Sequence, residues 1–243
     1  MNKLNRTAKD FVPELTRLET VVGWVYMPIH VFLLPILIGM FQTLYPSGEI
    51  SDITANMIYY AIGLVVIVIF FGKMLRREFD NLLDNFRHCV YGLCAGWCVW
   101  YVLTILFQVI LMLLDLELAN PNNETITAIA GKDFNKMMAI AVIGAPLIEE
   151  PIFRGVIFQS LRKRGRALAY VVSITLFSLY HVWQYALVDM DPLILLYALQ
   201  YVPITLAITW SYERSGSLWT PMIFHALNNY TSFMAIEMLQ SMG

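Results

Sequence analysis

Apolar residues in this chain come in long unbroken runs rather than at the alternating or three-to-four spacing of a half-buried element. Stretches without Asp, Glu, Lys or Arg cover 20–48, 53–72, 88–114, 167–188, 192–212 and 215–236. Each reaches the roughly 20 residues that a helix needs to cross about 30 Å of hydrocarbon. A further stretch, 137–161, is apolar except for Glu149, Glu150 and Arg154, and it ends at Lys136 and at Arg162 to Arg164. The pattern predicts an all-α, multi-pass membrane helical bundle of about seven transmembrane helices, because a backbone in lipid must satisfy its own hydrogen bonds.

The connecting segments differ in character. In 73–88, Leu75, Phe79, Leu82, Leu83 and Phe86 share one helical face opposite the charges, which predicts an interfacial amphipathic helix on the membrane surface. Segment 115–135 is polar and reads as loop; its Asn123-Glu124-Thr125 fits the glycosylation pattern, a short match that carries little weight. No internal repeat is visible. The division that follows is an N-terminal three-helix membrane region over 1–135 and a core over 136–243.

Composition fits a bilayer: 58% of residues are hydrophobic and 14% charged, against about 25% charged in soluble domains. The formal net charge of −2 supplies no basic surface for phosphates, which excludes nucleic acid as a partner. No glycine-rich nucleotide loop is present. Cys89, Cys94 and Cys98 form neither a disulfide framework nor a paired zinc site, and core packing is their expected role. Charged residues before the first apolar run, with no small-residue cleavage site after it, argue against a cleaved signal peptide.

Basic residues alternate along the chain. Lys3, Arg6, Lys9 and Arg17 precede the first run; Lys73, Arg76, Arg77 and Arg87 follow the second; Arg162, Lys163, Arg164 and Arg166 follow the charged run; Arg214 follows the sixth. Of the other connections only 115–136 holds any, Lys132 and Lys136. The positive-inside rule then places the N-terminus in the cytoplasm and the C-terminus outside, and it does so without a break only if 137–161 is a span.

Three charges in one span need a reason, since each costs about 2.5–3.5 kcal/mol at mid-bilayer on insertion scales. Glu150 and Arg154 are four apart and can pair on one face, which leaves Glu149 over. Neighbouring carboxylates that share one cation are expected to differ in proton affinity, as a general acid or base requires. Pro146 and Pro151 bracket the pair and withdraw backbone donors, a change tolerated in a membrane only beside protein or a water-filled cavity. Elsewhere in the spans, His181 follows Phe177 by four, and His225 and Asn229 share a face four apart with Asn228 turned about 100° away. His30 is expected to have no polar neighbour on its own helix.

Glu149-Glu150-x-x-x-Arg154, Phe177-x-x-x-His181 and His225-x-x-x-Asn229, on three spans in that order, resemble the motifs of the CPBP (Abi) family, which includes the type II CAAX prenyl endopeptidases. The lead-in "SGSLWTPMIFHALNN" is similar to the approach to the family's third motif. The resemblance covers about 138–235 and leaves the first three spans unmatched. It implies an intramembrane endopeptidase of a prokaryotic cell membrane with a conical cavity open to the cytoplasm, cutting a peptide or membrane-protein substrate near that face. Glu149 would activate water, His181 would orient it, His225 and Asn229 would donate to the oxyanion, and Glu150 with Arg154 would hold the arrangement. No cofactor is the favoured expectation. Zinc at Glu149, His181 and His225 is the alternative, disfavoured because the sequence shows no carboxylate partner for either imidazole.

Two other readings come from different classes. One is a non-catalytic membrane scaffold or bacteriocin self-immunity protein. The other is a proton-coupled transporter using the glutamates as a relay, which would call for paired broken helices in repeated halves.

Overall fold

The computed structural model describes residues 11–44, 50–116, 118 and 120–242, with the backbone alone for 239–242. Among them every regular element is a helix. Helix α1 spans Arg17–Leu44 and α2 spans Asp52–Asp84. Helix α3 is Phe86–Leu113 and α4 is Pro121–Lys132. Helix α5 runs over 134–162, α6 over Arg166–Tyr180, α7 over Trp183–Val188, α8 over Pro192–Ser215 and α9 over Trp219–Met242. Helices α1, α2, α3 and α8 are each long and apolar enough to cross a membrane. The protein is a multi-pass helical membrane bundle.

Helix α5 is its axis. Every residue from Pro151 to Phe158, Arg154 included, is buried, so this part of the helix is enclosed by protein rather than lipid. Ile148, Ile152, Phe153, Val156 and Ile157 join Ile67, Phe71 and Met74 of α2 and Phe177 of α6 in one core. Lipid-facing surface lies instead on α2 and α3, where Val65, Ile69, Val102 and Ile105 are exposed. Close helix approach uses glycine, as is usual where packing rather than water drives association. A Cβ on Gly23 of α1 would fall 2.9 Å from Val156 Cβ. Helix α1 therefore packs directly onto α5.

Prolines shape the ladder. After Pro28 the turns widen to π over Ile29–Leu33, where His30 is buried. In α5 the π segments Ile140–Gly144 and Pro151–Phe158 flank the turn that carries Glu149 and Glu150. π turns commonly mark functional sites. Here Ala145 N–H donates to Ile140 O. In that register the next donor would come from Pro146, which has none, so Ala141 O is left for another partner.

Several connecting segments differ from expectation. No separate surface helix forms over 73–88: α2 continues unbroken to Asp84, and α3 starts at Phe86 after a turn at Asn85. The reason is internal anchoring of that tail. Glu78 is buried, its Oε2 accepts from Leu218 N at 2.8 Å, and its Oε1 accepts from Gln159 Nε2 at 2.9 Å and Tyr212 Oη at 3.1 Å. Segment 115–135 contains helix α4 rather than loop alone. Asn120 caps it, accepting from Asn122 N, and Pro121 fills its first position, a pairing that favours helix starts. Of the three cysteines only Cys89 is buried; Cys94 and Cys98 are exposed, so core packing holds for one.

The two ends of the bundle carry different charges. At one end Arg77 pairs with Glu19 at 2.7 Å, and Arg162 and Arg166 both pair with Glu213 at 2.9 Å. Lys163 donates to Leu15 O and Ser217 to Glu78 O, which gathers the start of α1, the end of α2, the α5–α6 turn and the α8–α9 turn. At the other end Asn120 donates to Gln200 and Tyr201, and Lys132 lies 3.6 Å from Asp52. This brings together the start of α2, both ends of α4 and the middle of α8.

Candidate active site

Glu149 and Glu150 are adjacent on α5 and face different surroundings. Glu150 and Arg154 are fully buried behind the site, with Arg154 Nη1 donating to Glu150 Oε1 at 3.0 Å as the four-residue spacing predicts. Arg154 also lies over the Phe177 ring, 4.2 Å from its centroid, and donates to Thr209 Oγ1 at 3.4 Å. A planar guanidinium can make these contacts together, which a lysine ammonium cannot. His225 Nδ1 lies 2.8 Å from the same Glu150 Oε1. A carboxylate accepts, so Nδ1 carries the proton and Nε2 is the free ring nitrogen.

Glu149 faces a cavity of about 760 Å³. Its Oε1 accepts from Tyr60 Oη at 3.2 Å, and its buried Oε2 has no hydrogen-bond partner among the described residues. His181, His225 and Asn229 line the same cavity. His181 caps α6, where Nδ1 donates to Phe177 O at 2.9 Å, and its ring stacks on Tyr201 with centroids 4.4 Å apart. A carbonyl only accepts, so His181 also presents Nε2. Asn229 Nδ2 donates to Ala141 O at 2.7 Å, the carbonyl that Pro146 leaves unserved, and its Oδ1 accepts from Asn228 at 3.3 Å. One N–H of Asn229 remains uncommitted by these bonds.

The structure thus brings the six candidate residues together in two groups. Glu149, His181, His225 and Asn229 line the cavity; Glu150 and Arg154 form the support behind it. The sequence missed Tyr60 and a second cluster. His30 Nε2 lies 2.9 Å from Tyr59 Oη, which is 3.0 Å from Tyr180 Oη, and Tyr26 Oη is 3.2 Å from His30 Nδ1. Tyr26 stands four residues before His30 on the same helix, so the expectation that His30 lacks a polar neighbour there is overturned; the available signal was the tyrosines themselves, since a buried phenol needs a hydrogen-bond partner.

The ligand set can be tested for zinc. Glu150 is the carboxylate partner of His225 that the sequence did not show, and the Phe177 carbonyl serves His181, as metal-bound imidazoles require. The first coordination sphere does not fit: among the described residues no three His, Cys, Asp or Glu side chains are placed to hold one ion.

Residues 133–231 match the family of type II CAAX prenyl endopeptidases described as Rce1-like. That stretch is an Rce1-like domain. The match covers 99 of the 243 residues and is consistent with the CPBP resemblance. No curated protein and no solved structure matches the chain. All six candidate residues fall within the Rce1-like domain, whereas Tyr60 and His30 come from outside it.

The cavity runs from Glu149 toward the end of the bundle that holds Gln42, Asn56, Asn120, Asn122 and Gln200. That end is opposite the basic one. An opening to the cytoplasm and a cytoplasmic N-terminus, both expected from the sequence, therefore exclude each other.

Proposed function

We propose that the protein is a glutamate-dependent intramembrane endopeptidase in which Glu149 activates a water for attack on a peptide carbonyl. The observation that carries this reading is the unpartnered Glu149 Oε2 in a cavity also lined by His181, His225 and Asn229. Oε2 takes a proton from the water as its oxygen bonds to the carbonyl carbon. Tyr60, hydrogen-bonded to Oε1, keeps the carboxylate turned toward the cavity.

His181, with Nδ1 committed to Phe177 O, offers the Nε2 lone pair to the second water hydrogen. His225, with Nδ1 donating to Glu150, takes up one proton from solvent at Nε2 before the attack, and that N–H donates to the developing oxyanion and stays on the ring when the adduct collapses. The remaining Asn229 N–H is a second donor to that oxygen. Donors already in place where charge develops need no reorganisation during the reaction. Collapse of the tetrahedral adduct breaks the C–N bond, and the proton held by Glu149 passes to the leaving nitrogen. Water is consumed, and one carboxylate and one amine are formed.

The test is peptide hydrolysis by purified protein in liposomes. Wild type cleaves members of a quenched-peptide set, and Glu149→Gln loses about 10²–10⁴-fold in rate, the usual contribution of a general base. Equal cleavage by both would remove Glu149 from the chemistry, and a binding partner held equally well with no cleavage by either would leave the scaffold reading in its place.

A further inference from the structure

The cavity mouth and the basic residues lie at opposite ends of the bundle. Of the thirteen Lys and Arg among the described residues, only Lys132, Lys136 and the buried Arg154 lie away from the end that holds the start of α1, the α2–α3 turn, the α5–α6 turn and the α8–α9 turn. Ion pairs and hydrogen bonds tie those four regions together, so the asymmetry belongs to the folded bundle and not only to the order of segments. Asp52, Glu124, Asp133 and Asp191 stand at the other end. Short basic connections are retained in the cytoplasm.

From this we infer that the catalytic cavity opens on the outer, extracytoplasmic face, and that its substrate is a polypeptide segment presented there rather than a cytoplasmic chain end. The inference rests on the endopeptidase reading above for the word substrate, and on charge placement alone for the side. The cavity suits a peptide: Gln42, Asn56, Asn120, Asn122, Gln184 and Gln200 are among the residues that line it. Amide side chains both donate and accept, as the backbone of an extended peptide requires. An exported peptide, or the outer loop or tail of another membrane protein, reaches such a mouth without crossing the bilayer.

Orientation is read without activity. Glu124→Cys on exposed α4 and Arg164→Cys on the exposed α5–α6 turn are made separately in a background where Cys89, Cys94 and Cys98 are replaced by alanine. Cells with an intact cytoplasmic membrane are treated with a membrane-impermeant maleimide. The inference expects Glu124→Cys to react as fully before permeabilisation as after it, and Arg164→Cys to react only after it. Any other pattern overturns it, while the Glu149→Gln comparison still decides the endopeptidase reading separately. If the cysteine-free background does not accumulate, C-terminal fusions of the unaltered chain take over. A reporter active only outside the cell must work and one fluorescent only in the cytoplasm must stay dark; the reverse overturns the inference. With orientation fixed, right-side-out vesicles must cleave an added impermeant peptide without being opened, and cleavage only by inverted vesicles overturns the assignment of substrate.

Discussion

His225 Nδ1 and Arg154 Nη1 meet on a single oxygen, Glu150 Oε1, at 2.8 and 3.0 Å. One carboxylate therefore neutralises the buried arginine and fixes the imidazole ring whose other nitrogen faces the cavity. Removing it leaves a buried guanidinium without its partner, which costs about 3–5 kcal/mol. Glu150→Gln is expected to lower the unfolding temperature in detergent sharply and to abolish hydrolysis, measured by a thermal-shift assay on purified protein beside the activity assay. Arg154→Lys should retain more stability than Glu150→Gln but lose the stack on Phe177.

Tyr60 reaches Glu149 from α2, outside the Rce1-like domain. A hydrogen bond to a charged group contributes about 1.5–3 kcal/mol, so Tyr60→Phe should lower kcat about 10- to 100-fold if the bond operates in the transition state. Folding should be preserved, because the ring stays. A kcat within twofold of wild type would remove Tyr60 from the mechanism.

Asn229 and Pro146 form a compensating pair through Ala141 O. Asn229→Ala strands a buried carbonyl and should cost about 1–3 kcal/mol in stability. Pro146→Ala returns a backbone N–H that can serve the same oxygen. The double variant should then be more stable than the sum of the two single changes predicts, a positive coupling read from denaturation of all four proteins in a double-mutant cycle. Activity should not return, since the amide donor is still missing.

Gly23 touches Val156 closely, and that contact joins the first helix to the helix carrying the glutamates. Gly23→Leu should overpack the interface by about 1–3 kcal/mol. The unfolding midpoint should fall while Gly39→Leu, where a Cβ meets nothing within 4 Å, leaves it unchanged.

Much of the site was legible because its spacing is local. Glu150 and Arg154 pair at four residues, and the histidine and asparagine motifs sit on single helices, so helical geometry alone presents them. What escaped was tertiary. Nothing in the first three spans ties Tyr60 to Glu149 or His30 to Tyr59, because those partners are fixed only when α1 and α2 pack on α5 and α6. The widened turns of α5 also follow from packing, although Pro146 and Pro151 marked the place. The surface helix expected over 73–88 failed on one residue: Glu78 looked like part of a solvated face, and the fold buries it against Leu218 and Tyr212. The start of α4 was readable at Asn120-Pro121 and was outweighed by the polarity of the residues around it.

The most direct measurement is a single turnover of wild-type protein in heavy-oxygen water, with mass spectrometry of both the product and the peptide containing Glu149. A glutamate acting as general base predicts the heavy oxygen in the newly formed carboxylate of the product and none in Glu149. Heavy oxygen in Glu149 after one turnover would mean that its carboxylate attacks the substrate covalently, and would contradict the account.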